Sequence, residues 1–180
     1  MTAIATYRGL VAVGHAVLCV QDAGRPYGDD ADGEDARVAT MRTVVAATAH
    51  QLFVRVAQTT VAVAIQVDVH DAAPVGALDA GGAAGWGGLF EASIGCASGR
   101  LRIENTTSGP VTLLPGDLTE IPVVAAGAVR VRVSARGREE TARQGSEVFR
   151  SHPDAGVEER HALLAALDGG EAYLVEIWPV

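Results

Sequence analysis

The chain of 180 residues contains no lysine, so every one of its 14 Lys+Arg positions is arginine. With lysine goes the phosphate-binding loop of the P-loop type, whose glycines must lead into a Lys-Ser/Thr pair; the Gly81-Gly82 run has none. Alongside the abundant alanine and glycine, this marks a GC-rich coding sequence and carries no functional signal. Aromatics make up only 4% of the residues, so a core here is built from small branched side chains. There are two cysteines, Cys19 and Cys96, and no CxxC or HxxxH spacing. A zinc site needs such close-set ligand pairs, and no metal or other cofactor is expected. Positive charge is also short. A formal net charge of −8 argues against sequence-independent binding to nucleic acid, which requires a basic footprint over phosphates. No apolar run approaches the roughly 18 residues of a membrane-spanning helix, and residues 1–10 lack the h-region of a signal peptide. Two cysteines without such a signal read as buried thiols, so a cytoplasmic location is expected. A GxSxG nucleophile elbow is missing as well, and no catalytic residue is assigned.

What the sequence does contain is period-two alternation. From Val61 to His70, Val61, Val63, Ile65, Val67 and Val69 fall on one side and Gln66, Asp68 and His70 on the other, the pattern of a half-buried strand. Gln51–Ala57 and Val129–Arg138 repeat it, and the Gln58-Thr59-Thr60 and Ser98-Gly99 steps read as turns between neighbouring strands. Further strands are expected at Leu10–Val20, Leu89–Cys96, Leu101–Glu104, Val111–Leu114 and Tyr173–Trp178. Short strands without alternating helices predict an all-β, antiparallel, jelly-roll-like β-sandwich. The length suits a single domain over 1–180. Three elaborations interrupt it: an acidic loop at 23–36, a Gly/Ala loop at 73–88 holding Trp86, and one short helix at about 154–167, capped by Asp154 or Ser151 and stopped by Gly169.

Four sets of residues stand out as candidate sites. Asp29, Asp30, Asp32, Glu34 and Asp35 form an acidic surface suited to a basic protein groove; the stretch has only a fragment of an EF-hand loop and lacks the closing Glu and flanking helices. Arg130, Arg132, Arg136 and Arg138 would form an anion-binding face, unless Glu91, Glu104 or Glu176 on neighbouring strands neutralise it. Trp86 marks a possible ligand groove. His70, sharing a strand face with Asp68 or meeting Glu91, is the one candidate for an enzyme of unfamiliar type. His15 and Cys19, four residues apart on an expected strand, would stand about 13 Å from each other, too far to share a metal. The terminal EIWPV and the Ala/Val-rich strands could leave an apolar face exposed, which makes a homodimer the expected assembly.

The order of segments resembles a known family. A first strand ends in Gln-Asp (GHAVLCVQD, Gly14 to Asp22), a strand pair follows (HQLFVRVAQTTVAVAIQVDVHD, His50 to Asp71), then FEASIGCASGRLRIEN (Phe90 to Asn105), GAVRVRV (Gly127 to Val133) and YLVEIWPV (Tyr173 to Val180). This arrangement is similar to the competence protein J (ComJ) family of nuclease inhibitors, and its tail to small actinobacterial proteins ending in YLxxxWP. The resemblance implies a non-enzymatic protein-binding module whose partner is a nuclease or toxin. It lies in strand patterns and assigns no individual residue a role. A small-ligand-binding sandwich is the alternative that Trp86 supports.

Overall fold

The computed structural model describes residues 2–26, 31–74, 85–105 and 108–180. Eleven strands in that part of the chain form two sheets around one core. The first sheet has the order β1 (Ala5–Ala12), β5 (Ala62–Val69), β11 (Ala172–Pro179), β10 (Gly127–Arg136), β6 (Gly87–Cys96). The second runs β3 (Val45–Ala47), β4 (Gln51–Arg55), β2 (Val17–Asp22), β7 (Arg100–Asn105), β8 (Gly109–Pro110), with β9 (Ile121–Pro122) also pairing to β7. Alternation decides the packing. Val63, Ile65, Val67 and Val69 of β5 meet Val129, Val131 and Val133 of β10 and Val175 and Ile177 of β11 in a core shared with Leu18, Val20, Leu52, Val54, Leu101 and Ile103 of the second sheet. The all-β sandwich read from the sequence is the fold observed. It is antiparallel except where β11 lies parallel to β5.

Strand partners depart from expectation. The single strand expected over Leu10–Val20 is two strands in different sheets, broken at His15 and Ala16, whose φ values of 52° and 59° turn the chain from β1 into β2. The Gln58–Thr60 and Ser98-Gly99 turns likewise carry the chain from one sheet to the other and close no hairpin. Alternation tells which side chains are buried but is blind to which strand lies alongside. At 111–114 there are only isolated bridges, Arg8 to Leu114 and Leu113 to Leu118.

Helices were underestimated too. Among the described residues there are three α-helices: α1 (Gly33–Thr43), α2 (Arg138–Ser151) and α3 (Val157–Ala165). The last four residues of the supposed acidic loop are therefore the first turn of α1, where Glu34 and Asp35 suit the helix dipole and Glu34 pairs with Arg37. The late helix is shorter than 154–167 and starts after Gly156 with no side-chain cap. Within it Leu164 is buried whereas Val157 is exposed. Helix α2 has a sequence signature that charge alone obscures: Glu139 and Glu140 in its first turn, and the i,i+3 pairs Glu140–Arg143 and Glu147–Arg150.

One buried carboxylate ties these pieces together. Glu171, at 0% exposure immediately before β11, accepts the Ala57 backbone N–H at 2.8 Å, pairs with Arg138 at 3.2 Å and is hydrogen-bonded by the Tyr173 hydroxyl. Arg138 also donates to the Arg55 carbonyl at 2.6 Å. The end of β4 in the second sheet, the start of β11 in the first, and the first residue of α2 thus meet at one anion. The chain reaches this geometry through Gly137, which sits at φ 71° and so close to Gly170 that a Cβ would fall 2.0 Å from its carbonyl oxygen.

Removing one partner of a buried ion pair costs about 3–5 kcal/mol. Glu171→Ala is expected to lower unfolding stability by that order, and Gly137→Ala to be comparably destabilising through the clash. Urea unfolding followed by circular dichroism measures both; a loss below about 1 kcal/mol for Glu171→Ala would show that the anion is dispensable.

Candidate functional site

The outer face of the first sheet carries Arg8, Glu91, Arg130, Arg132, Arg136 and Glu176. On β5 the outward residues are Ala64, Gln66 and Asp68, between the buried valines and Ile65. Register places them in cross-strand rows. Arg8 lies beside Gln66 and Leu10 beside Ala64, Ala172 beside Ala64, and Arg136 beside Ala172. Further along, Arg132 sits between Glu176 and Glu91, and Arg130 faces Trp178 and Ser93.

The two ends of this face differ. At one end the arginines are occupied: Arg130 donates to Glu91 at 2.6 Å and Arg132 to Glu176 at 2.7 Å, with the Arg132 guanidinium 5.5 Å from the Trp178 ring centre. The neutralised face that Glu91 and Glu176 could provide is what forms there. The Glu176 carboxylate, by hydrogen bond and then by charge, raises the Arg132 pKa above its ordinary value against the effect of burial. Arg138 is off the row altogether, because it begins α2 and its guanidinium goes to Glu171. Arg100 and Arg102 lie on β7 in the other sheet, where they pair with Glu120 and Glu104.

At the other end lies a groove of roughly 330 Å³. Trp86 stands on its rim with the Arg136 guanidinium stacked 4.7 Å from the ring centre. Ala64 and Ala172 line it where the two central strands carry only methyl groups outward, and Arg8, Gln66 and Leu114 line it from the β1 side. Trp86, expected to mark a ligand groove, lines this hollow, and most of the Gly/Ala loop, residues 75–84, lies outside the described residues. Arg8, Gln66 and Leu114 were missed in the sequence. Arg8 alternates with Tyr7 and Gly9, a signal that it faces outward, but nothing in the sequence says that β1 lies beside β5.

His70 is buried, with Nε2 3.6 Å from Glu176 Oε1. The acids expected beside it are engaged elsewhere: Asp68 accepts from Thr6 at 2.7 Å and from Gln66, and Glu91 holds Arg130. His70 does not line the groove beside Trp86, so a His70–Asp68 or His70–Glu91 pair facing a substrate there is not formed. His15 is in the positive-φ turn before β2, and among the described residues no three His, Cys, Asp or Glu side chains are grouped to hold a metal.

On the second sheet, α1 covers Val17, Cys19 and Phe53 through Ala36. Beside that small core Gln51 donates to Gln21 at 2.6 Å and Gln21 to Glu104 at 3.3 Å; burial raises the Glu104 pKa, while Arg102 and Gln21 counter the shift in part. The acidic turn of α1 projects from this base, with Asp32, Glu34 and Asp35 exposed; Asp29 and Asp30 lie outside the described residues. In the EIWPV tail Ile177 is in the core and Trp178 is buried beneath Arg132, whereas Val180 is exposed. Among the described residues no helix is long and apolar enough to cross a membrane.

Compared as a sequence, the chain matches no protein family and no curated protein. Among solved structures it is similar to ComJ from Bacillus subtilis, an inhibitor of the DNA-degrading activity of NucA, with a TM-score of 0.49 and 10% identity over 99% of this chain and 98% of that one. It is also similar to the protein described as crocagin biosynthetic gene J, with a TM-score of 0.46 and 16% identity over 97% of each chain. Neither likeness assigns a role to a residue here.

Both cysteines are buried and neither is in a disulfide. Burial, and then the nearby Asp22 carboxylate, push the Cys96 thiol up to about 11. Asp22 itself is lowered, because burial, which alone would raise it, is outweighed by hydrogen bonds from Ser98 and Gly24. A folded Cys96 stays protonated where the unfolded chain's thiol ionises, so its contribution to stability is complete below pH 9.0 and is lost as pH rises toward about 11. Unfolding stability should fall across that window, and fall less in Cys96→Ala. At neutral pH alkylation of both thiols should be slow in the folded chain and rapid in denaturant; fast modification of Cys96 without denaturant would contradict its raised pKa.

Proposed function

We propose that the chain is a non-enzymatic protein-binding module that docks an acidic surface onto a basic groove of a partner, in the setting of a nuclease inhibitor or an immunity protein against a toxin. The observation that carries this reading is the acidic turn of α1. Asp32, Glu34 and Asp35 are exposed at the start of a helix whose other side is anchored on the second sheet through Ala36 and the buried Thr40. Carboxylates on such a base can stand in for the phosphates that a nuclease groove is built to hold. The net charge of −8 adds a field that draws a basic partner in, since complementary charge raises encounter rates and selects among partners.

The arrangement of the other charges supports a binding role. Arg130, Arg132 and Arg138 each have a glutamate partner, so these cations add to the sheet's cohesion and do not present an open phosphate-binding row. His70 packs against Glu176 within the same ion-pair cluster.

The test presents the full chain to purified nucleases and toxins whose active-site grooves are basic. Binding should weaken as salt is raised, because exposed charges are screened. Replacing Asp29, Asp30, Asp32, Glu34 and Asp35 by Asn or Gln should slow association by about tenfold to a hundredfold at low salt. Surface plasmon resonance reads both effects. Association that is indifferent to salt and to the neutralised turn would remove the acidic surface from the interface.

A further inference from the structure

The outer face of the first sheet presents four arginines, and they divide two and two. Arg130 and Arg132 are held by Glu91 and Glu176. Arg8 and Arg136 are both exposed, both line the Trp86 groove, and neither is paired with a carboxylate among the described residues. The Arg136 guanidinium lies over the Trp86 ring at 4.7 Å. Stacking engages the flat face of the guanidinium and leaves its edge of N–H donors pointing outward. Arg8 spends its Nε on Gln66 at 3.2 Å, which fixes the side chain and keeps its terminal nitrogens available.

Between these cations the groove is apolar. Ala64 and Ala172, neighbours across the β5–β11 pair, form a floor of methyl groups, and Leu114, 58% exposed, forms a wall. A volume of roughly 330 Å³ falls at the small end of ordinary ligand pockets, which begin at about 300 Å³. It is the size of one small organic molecule. An inorganic anion would satisfy the arginines and leave the alanine floor and the indole wet. A molecule with both an anionic end and a compact apolar body satisfies both halves.

We propose that this groove is a binding site for a small organic carboxylate with an aromatic or branched aliphatic body. The carboxylate is forked by the free edge of Arg136, Arg8 on the far side of the floor adds to the positive field, and the body rests on Ala64 and Ala172 between Trp86 and Leu114. The site is on the opposite sheet from the acidic turn, so either can fail without the other.

The probe is 3-phenylpropionate, which is transparent where indole is excited, with its neutral amide and inorganic phosphate as comparisons. The acid should shift tryptophan fluorescence saturably at millimolar concentrations. The amide should bind about tenfold more weakly, the difference expected for loss of one charge-assisted hydrogen bond. Arg136→Gln should weaken the acid about tenfold and leave the amide unchanged, with Arg8→Gln acting in the same direction. Trp86→Phe should abolish the fluorescence change while Trp178 continues to emit, and calorimetry then reads the binding that remains. All three side chains lie at the surface or its edge, and an unchanged urea midpoint verifies that each variant is folded. The proposal is overturned if the acid gives no saturable response, if the amide or phosphate binds as tightly as the acid, or if Arg136→Gln leaves the acid's affinity unchanged.

Discussion

The structure depends on a single anion placed where three segments must meet. Glu171 is fully buried, and a carboxylate taken out of water is tolerable only when its oxygens are fully hydrogen-bonded. The Ala57 N–H, the Arg138 guanidinium and the Tyr173 hydroxyl supply that shell. Each donor comes from a different part of the chain. Satisfying the charge therefore requires β4, β11 and α2 to be in place together, and the hydrophobic core alone makes no such demand, because apolar contact is non-directional. The Tyr173 hydroxyl is itself held protonated, through burial first and the Glu171 charge second, so it remains a donor.

The same strand that begins at this clamp organises the surface. Beyond Glu171, β11 sends Tyr173, Val175 and Ile177 into the core and Ala172 and Glu176 outward. Glu176 neutralises Arg132, whereas Ala172, with no charge and almost no volume, leaves Arg136 open and a hollow beside it. One strand thus closes one end of the sheet's outer face and opens the other. The contrast rests on register: a shift of two residues between β10 and β11 would put Arg136 opposite Leu174 and pull Arg132 off Glu176.

Much of this was legible in the chain as written. The alternation of Val61–His70 and Val129–Arg138 identified both strands and their buried faces, although the second strand ends at Arg136 and Arg138 begins a helix. The glutamates that occupy Arg130 and Arg132 were recognisable as candidates. The acidic stretch was visible as charge but misread as wholly irregular, since a dense run of Asp and Glu signals both solvated loops and helix N-termini. Helix α2 was overlooked for a related reason: its apolar residues are few, and its order shows mainly in i,i+3 charge pairs.

Local patterning was sufficient for the β-class, the inward and outward faces and the small-residue core, because side-chain period depends only on the backbone of the strand itself. Pairing was beyond its reach. That β1 lies beside β5, that β11 runs parallel to β5, and that β7 belongs to the other sheet are consequences of contacts between residues far apart in sequence. Arg8, Arg136 and Trp86 share a groove, and Glu171 reaches Ala57, for the same reason: burial and hydrogen bonding are satisfied by whatever segment the folded chain brings near, and neither leaves a periodic mark in the sequence.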